Sequence, residues 1–98
     1  MAFVQIIEFK SSRIDEALKL YDQWLELAQG TSTAKRLTLT SDRDNPNTYM
    51  EIVEFESYEE AMKNSNLPAT QEISSQLFAL CDGQPIFRNL DVFRVDER

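Results

Sequence analysis

Five glutamates close together in the chain are the first candidates for chemistry: Glu51, Glu54, Glu56, Glu59 and Glu60. Grouped carboxylates can bind a divalent cation or exchange protons with a substrate. On a strand, Glu54 and Glu56 lie on one face and Glu51 on the other. The last two suit a helix N-terminus, where the helix dipole favours negative charge. We therefore predict capping and solubility for this group, and no metal site.

The chain has no histidine and one cysteine, Cys81. The commonest metal ligand and the commonest general base are therefore both missing. Cys81 lies at the predicted end of a helix and precedes Asp82, whereas a reactive thiolate needs a helix N-terminus or a nearby cation. We expect a structural cysteine, no metal and no cofactor.

Two aromatic residues, Tyr21 and Trp24, lie about one turn apart in a predicted first helix. They belong to an apolar stripe at helical spacing: Ile14, Ala17, Leu18, Tyr21, Trp24, Leu25 and Ala28. Such stripes are typical of core packing, with the polar tips of Tyr and Trp satisfied at the edge. The alternative is that both line a cavity that holds a flat, apolar ligand.

Polar residues also interrupt the predicted last strand, which runs from Ile86 to Val95. Arg88, Asn89 and Asp91 lie among apolar neighbours. Edge strands commonly carry such residues, which prevent pairing with another chain. The alternative places Arg88 at a cavity mouth or beside a buried partner, because a buried charge needs one.

Composition limits the classes of protein. The net charge of −7 makes nucleic acid or an anionic membrane surface an unfavourable partner. No apolar run approaches the ~20 residues needed to span a bilayer. The start of the chain, MAFVQIIEFK, lacks the features of a signal peptide. With a single cysteine that cannot form an internal disulfide, we expect a cytoplasmic protein.

Hydrophobic periodicity predicts a single α+β domain over residues 1–98. A strand at Ala2–Lys10 is followed by a helix that a Ser12 capping box begins and Gly30 ends. A strand at 31–41 forms a hairpin with the strand that starts at Thr48. Ser57 and Glu60 form a second capping box, and the helix that they begin is interrupted before Pro68.

The resulting order, βαββαβ, predicts a ferredoxin-like fold: a four-stranded antiparallel sheet with two helices on one face. The first, third and fourth strands carry apolar residues on both faces, so the face without helices needs a cover. We predict a homodimer that pairs through this sheet face. The alternative is a monomer whose extra apolar residues lie at strand ends or under loops.

The chain resembles the dimeric α+β barrel superfamily, which includes the antibiotic-biosynthesis-monooxygenase-like domains. The most specific match is the strand-to-helix junction, where Phe55, one spacer and Ser57 precede Glu59, Glu60 and Ala61. The resemblance implies a cavity between sheet and helices. Enzymatic relatives often carry a histidine where this chain has Asn64. The haem-degrading branch uses a first-strand asparagine where this chain offers Gln5, so haem is not expected.

Three functional hypotheses follow. The first is a homodimer that binds a small apolar or aromatic molecule, with no catalytic residue assigned. The second is a cofactor-independent monooxygenase or isomerase for an aromatic or polyketide-like substrate, in which Asn64 or Arg88 stabilises an enolate. The third is a non-catalytic structural or regulatory subunit. The predicted ligand-binding residues are Tyr21, Trp24, Tyr49, Phe55, Asn64 and Arg88.

Overall fold

The computed structural model describes residues 2–98, and Met1 lies outside the described residues. Its strands are β1 (Phe3–Lys10), β2 (Arg36–Ser41), β3 (Thr48–Phe55) and β4 (Ile86–Asp91). Its helices are α1 (Ile14–Leu27), α2 (Tyr58–Ser65) and α3 (Pro68–Ala79). The strands form one antiparallel sheet in the order β2-β3-β1-β4. The predicted ferredoxin-like α+β fold is confirmed, with the second helical segment divided into two consecutive helices.

The junction between β3 and α2 forms as the sequence predicts. The Ser57 hydroxyl caps α2 by accepting a hydrogen bond from the Glu60 amide at 3.2 Å. Glu60 does not complete the predicted box, because its carboxylate binds Lys63 one helical turn later. At the start of α1 the Ser12 prediction is wrong. Arg13 occupies the cap position without a side-chain bond.

Two predicted strands are shorter than expected. The segment before β2 is irregular, because Gly30 turns the chain at a φ of 82° and the Ser32 and Thr33 hydroxyls bond to α2. The last strand ends at Asp91, where its pairing with Phe3 of β1 ends. Phe93, predicted to continue that strand, is 99% exposed.

The two faces of the sheet have different surroundings. One face packs against the helices and carries the buried residues Phe3, Ile7, Val53 and Phe55. The opposite face, here called the open face, has no helix on it. Strand alternation places on it the apolar side chains Val4, Ile6, Met50, Ile52, Ile86 and Leu90.

Within the described part of the chain, no helix has the length and apolar character needed to cross a membrane.

Candidate functional site

A cavity of about 450 Å³ lies between the helix-facing side of the sheet and the helices. Strands β1, β2, β3 and β4 contribute one wall, and all three helices contribute the other. Most of the lining surface is apolar, although about half of the lining residues carry a polar group. The lining residues used below are Gln5, Tyr21, Trp24, Glu51, Phe55, Asn64, Ser74, Phe78 and Phe87.

Glu51 is the acidic residue of this cavity, although its place in the group of glutamates predicted a role in capping and solubility. It lies at the centre of the sheet, opposite Ile7 of β1 and Leu39 of β2 in the register. The residue is only 8% exposed. The Tyr21 hydroxyl donates a hydrogen bond of 3.0 Å to its Oε2. The signal that could have found it is strand alternation, because Glu51 shares a face with the buried Val53 and Phe55.

Burial controls the protonation of this pair. It raises the pKa of Glu51 above the usual range of a carboxyl group, and the hydrogen bond from Tyr21 opposes that increase. The pKa of Tyr21 is also raised, first by burial and then by the neighbouring carboxylate charge. Tyr21 therefore stays a neutral donor, while Glu51 can change its protonation state nearer to neutral pH.

Trp24 serves both the core and the cavity. It is 9% exposed and packs in a cluster with Leu20, Ile73 and Leu77. Its indole Nε1 donates a hydrogen bond of 2.9 Å to the Thr70 hydroxyl. Trp24 therefore packs in the core, as one interpretation of the α1 stripe predicted, and also lines the cavity, as the other predicted.

Asn64 is buried near the end of α2, and its amide has a defined orientation. The Ser32 hydroxyl accepts a hydrogen bond from the Ala34 backbone amide and donates one of 2.8 Å to Asn64 Oδ1. That bond assigns the carbonyl side of the amide and leaves Nδ2 as the donor. Asn64 thus presents an amide donor at the cavity.

The structure brings four predicted ligand-binding residues to this cavity: Tyr21, Trp24, Phe55 and Asn64. Tyr49 lies elsewhere and packs against Phe9 with ring centroids 5.6 Å apart. Arg88 is on the open face, where Nη1 lies 3.5 Å from a Glu8 oxygen. It matches the exposed-edge interpretation of β4, which is an edge strand.

Gln5 and Cys81 are two further residues that the sequence singled out. Gln5 lines it from β1, and its Nε2 donates to Asn89 Oδ1 at 3.1 Å. Burial and Asp82 raise the pKa of the Cys81 thiol, which suits the predicted unreactive cysteine. Among residues 2–98, no group of three acidic, cysteine or histidine side chains is placed to hold a metal ion.

Comparison with known proteins identifies the fold. No family model matches the sequence, and no curated protein matches it closely enough to count as a relative. Solved structures do match. SnoaB, a cofactor-independent oxygenase from Streptomyces nogalater, superposes with a TM-score of 0.80 at 15% identity over 96% of this chain and 95% of its own.

Two further solved structures superpose on this chain to a similar extent. An antibiotic biosynthesis monooxygenase gives a TM-score of 0.76 at 17% identity, over 96% of this chain and all of that one (100%). A conserved protein from Methanosarcina mazei Go1 gives 0.81 at 12% identity, over 92% and 91% of the two chains. The chain therefore has the ferredoxin-like fold of antibiotic-biosynthesis-monooxygenase-like proteins. This confirms the resemblance noted from the sequence at the level of fold.

The buried carboxyl predicts a pH-dependent stability. Because the folded-state pKa of Glu51 is raised, the native state binds the proton more tightly than the unfolded chain does. Stability is therefore lost as the pH rises from the unfolded to the folded pKa and stays reduced above it. Glu51→Gln should melt at a higher temperature than wild type at about pH 8, with the gain shrinking towards about pH 4.

Thermal melts across this pH range provide the measurement. The matched control is Glu54→Gln, since Glu54 is on the same strand but the opposite face and forms an exposed ion pair with Arg36 at 3.2 Å. Its effect should be small. A Glu51→Gln melting difference that is constant across the range contradicts the assignment.

Proposed function

We propose that the cavity binds a small, flat, largely apolar organic molecule, such as a hydroxyaromatic compound. The observation that carries this proposal is the convergence of Tyr21, Glu51 and Asn64 on one largely apolar space. Small-molecule sites typically occupy about 300–1,000 Å³ and combine apolar walls with a few oriented polar groups. The cavity between the sheet and the helices fits both criteria.

The lining suggests how such a molecule is held. Trp24 and Phe55 supply aromatic surface from opposite walls, and Phe78 and Phe87 form a T-shaped pair with centroids 5.6 Å apart. Aromatic rings favour stacked or edge-on contact with a planar ligand. The Asn64 amide donates a hydrogen bond to a ligand oxygen. Tyr49 and Arg88, which the sequence also suggested, have no part in this site.

Trp24 is the only tryptophan in the chain, so its indole N–H gives one resonance in a nitrogen-correlated NMR spectrum. Titration with 2-naphthol should shift this resonance saturably. Ser74→Phe, which fills the cavity from α3, should abolish the shift. Gln76→Phe is the matched control, because Gln76 is exposed on the same helix and does not line the cavity.

The outcome separates two of the original hypotheses. A saturable shift that Ser74→Phe removes and Gln76→Phe retains supports a ligand site. No shift in the wild type, or the same shift in both variants, contradicts the site. That result favours the non-catalytic structural or regulatory subunit.

We also propose that two copies pair through the open face. Ile6 and Ile52 lie opposite each other at its centre, and both remain partly exposed in the single chain. At the two sides, Arg36 pairs with Glu54 and Arg88 with Glu8. An apolar centre with a charged rim is the usual organisation of a protein interface.

Ile6→Lys tests this pairing, since a lysine at the centre of the interface is left without a partner and repels its symmetry mate. Sedimentation equilibrium at micromolar concentration should give a dimer for the wild type and a monomer for the variant. Leu25→Lys is the control, because Leu25 lies on α1 and is 59% exposed. A monomeric wild type, or a dimer that Ile6→Lys leaves intact, contradicts the proposal.

A second candidate function is cofactor-independent oxygenation of a quinol-type compound, with isomerisation as a related reaction. The fold that the chain shares with SnoaB favours it. The Asn64 amide, held by Ser32, supports it further because a fixed donor stabilises the oxyanion that forms when such a substrate loses a proton.

Oxygen uptake with 1,4-dihydroxynaphthalene tests this candidate, after correction for its spontaneous oxidation. Trp24→Ala and Asn64→Ala should lower the enzymatic rate at least about tenfold, in line with removal of an oriented donor or positioning surface. Arg88→Ala is the control, because Arg88 lies on the open face. Equal rates in all four proteins count against an oxygenase.

A further inference from the structure

We propose that Glu51 is a general base, which removes a proton from the carbon beside the carbonyl group of a flat, neutral, cyclic ketone bound in the cavity. This inference rests on the proposed binding function and goes beyond it, since it names the reacting group and the class of substrate. Three properties of the Glu51 side chain support it: its position in the cavity, its unbonded oxygen Oε1 and the charges around it.

The two carboxylate oxygens of Glu51 have different surroundings. Oε2 accepts the hydrogen bond from Tyr21, and this is the one hydrogen bond formed by the side chain within the described residues. Across residues 2–98, every side-chain nitrogen or oxygen that is fully removed from solvent has a partner. The unbonded Oε1 is therefore accessible, and the accessible space beside Glu51 is the cavity that it lines. Tyr21 therefore fixes Oε2, and Oε1 faces the cavity.

Among residues 2–98, no cation is found to compensate this carboxyl group. The residues that line the cavity include neither lysine nor arginine. Nearby basic side chains pair with other acids on the surface: Lys35 with Glu56, Arg36 with Glu54, Lys63 with Glu60 and Arg88 with Glu8. The uncompensated carboxylate disfavours an anionic ligand, so the substrate is assigned as neutral.

A purely structural role explains this residue poorly. Burial without a charged partner strongly disfavours the charged form of an ionisable group. A glutamine at the same position also accepts a hydrogen bond from Tyr21, and it does so without burying an ionisable group. Groups that destabilise the fold in this way are typical of functional sites.

The step balances without an oxidant or a cofactor. Oε1 takes the proton, and the electron pair of the broken C–H bond forms the carbon–carbon double bond of an enolate. The negative charge moves to the former carbonyl oxygen, where the Asn64 Nδ2 group can donate a hydrogen bond. The protonated Glu51 then returns a proton to carbon or to oxygen, which regenerates the carboxylate.

The pH dependence of this step involves few groups. On the sheet, Glu51 is flanked by the apolar Ile7 and Leu39. From α1 it is faced by Tyr21, whose pKa is raised, and α3 contributes no titratable side chain to the cavity lining. Cys81, beyond α3, acts on Tyr21 and also has a raised pKa. The rate should therefore rise with pH as Glu51 loses its proton.

The test is exchange of the acidic C–H protons of 2-tetralone in deuterated buffer under nitrogen, followed by proton NMR. The wild type should accelerate exchange over buffer, and Glu51→Gln should lose about 100-fold or more of that acceleration. Tyr21→Phe removes the bond that lowers the pKa of Glu51, so its pH–rate midpoint should move upward. Glu72→Gln, at an exposed acid of α3 that does not line the cavity, should match the wild type.

Binding is measured through the Trp24 indole resonance on matched samples of each protein in ordinary water, because the indole proton is replaced by deuterium in the exchange buffer. A resonance shifted by 2-tetralone without accelerated exchange overturns the general base and leaves the ligand-binding function standing. Equal exchange by Glu51→Gln and the wild type, or an unmoved midpoint in Tyr21→Phe, also overturns it. Absence of any shift and any exchange overturns the general base together with the binding function.

Discussion

The antiparallel pairing of β1 with β3 is the constraint on which the rest of the structure depends. It runs from Phe3 opposite Phe55 to Lys10 opposite Thr48 and decides which side chains face the helices. Because side chains alternate along a strand, a shift of one residue would move Glu51 to the open face. Ile52 would then face the helices. The position of the cavity, its acid and the apolar open face are all consequences of this single register.

The cavity combines stabilising and destabilising features. Trp24 and Phe55 bury large apolar surfaces, and burial of such a side chain contributes roughly 1.5–3 kcal/mol. Glu51 works against this, since its raised pKa shows that burial disfavours its charged form. Tyr21 offsets part of the cost through its hydrogen bond. A site that keeps an acid in such surroundings gives up some stability for a carboxyl group that holds its proton to a higher pH than an exposed one.

The likeness to oxygenase structures concerns the backbone, and the chemistry depends on side chains that the fold does not specify. Asn64 lies at the cavity, and a fixed amide can donate a hydrogen bond but cannot take up a proton. Any proton acceptor must therefore come from another element. In this cavity β3 supplies it as Glu51, with Tyr21 of α1 as its partner.

The sequence by itself determined the order of elements, the Ser57 cap and the ferredoxin-like architecture, because capping, periodicity and turn residues act over a few positions. It also identified Tyr21, Trp24, Phe55 and Asn64 as residues of interest. Tertiary structure alone decided that Glu51 of β3 meets Tyr21 of α1, 30 positions apart in the chain. It likewise separated Tyr49 and Arg88 from the cavity. The physical reason is that a local pattern shows which side chains share a face, whereas packing decides what that face meets.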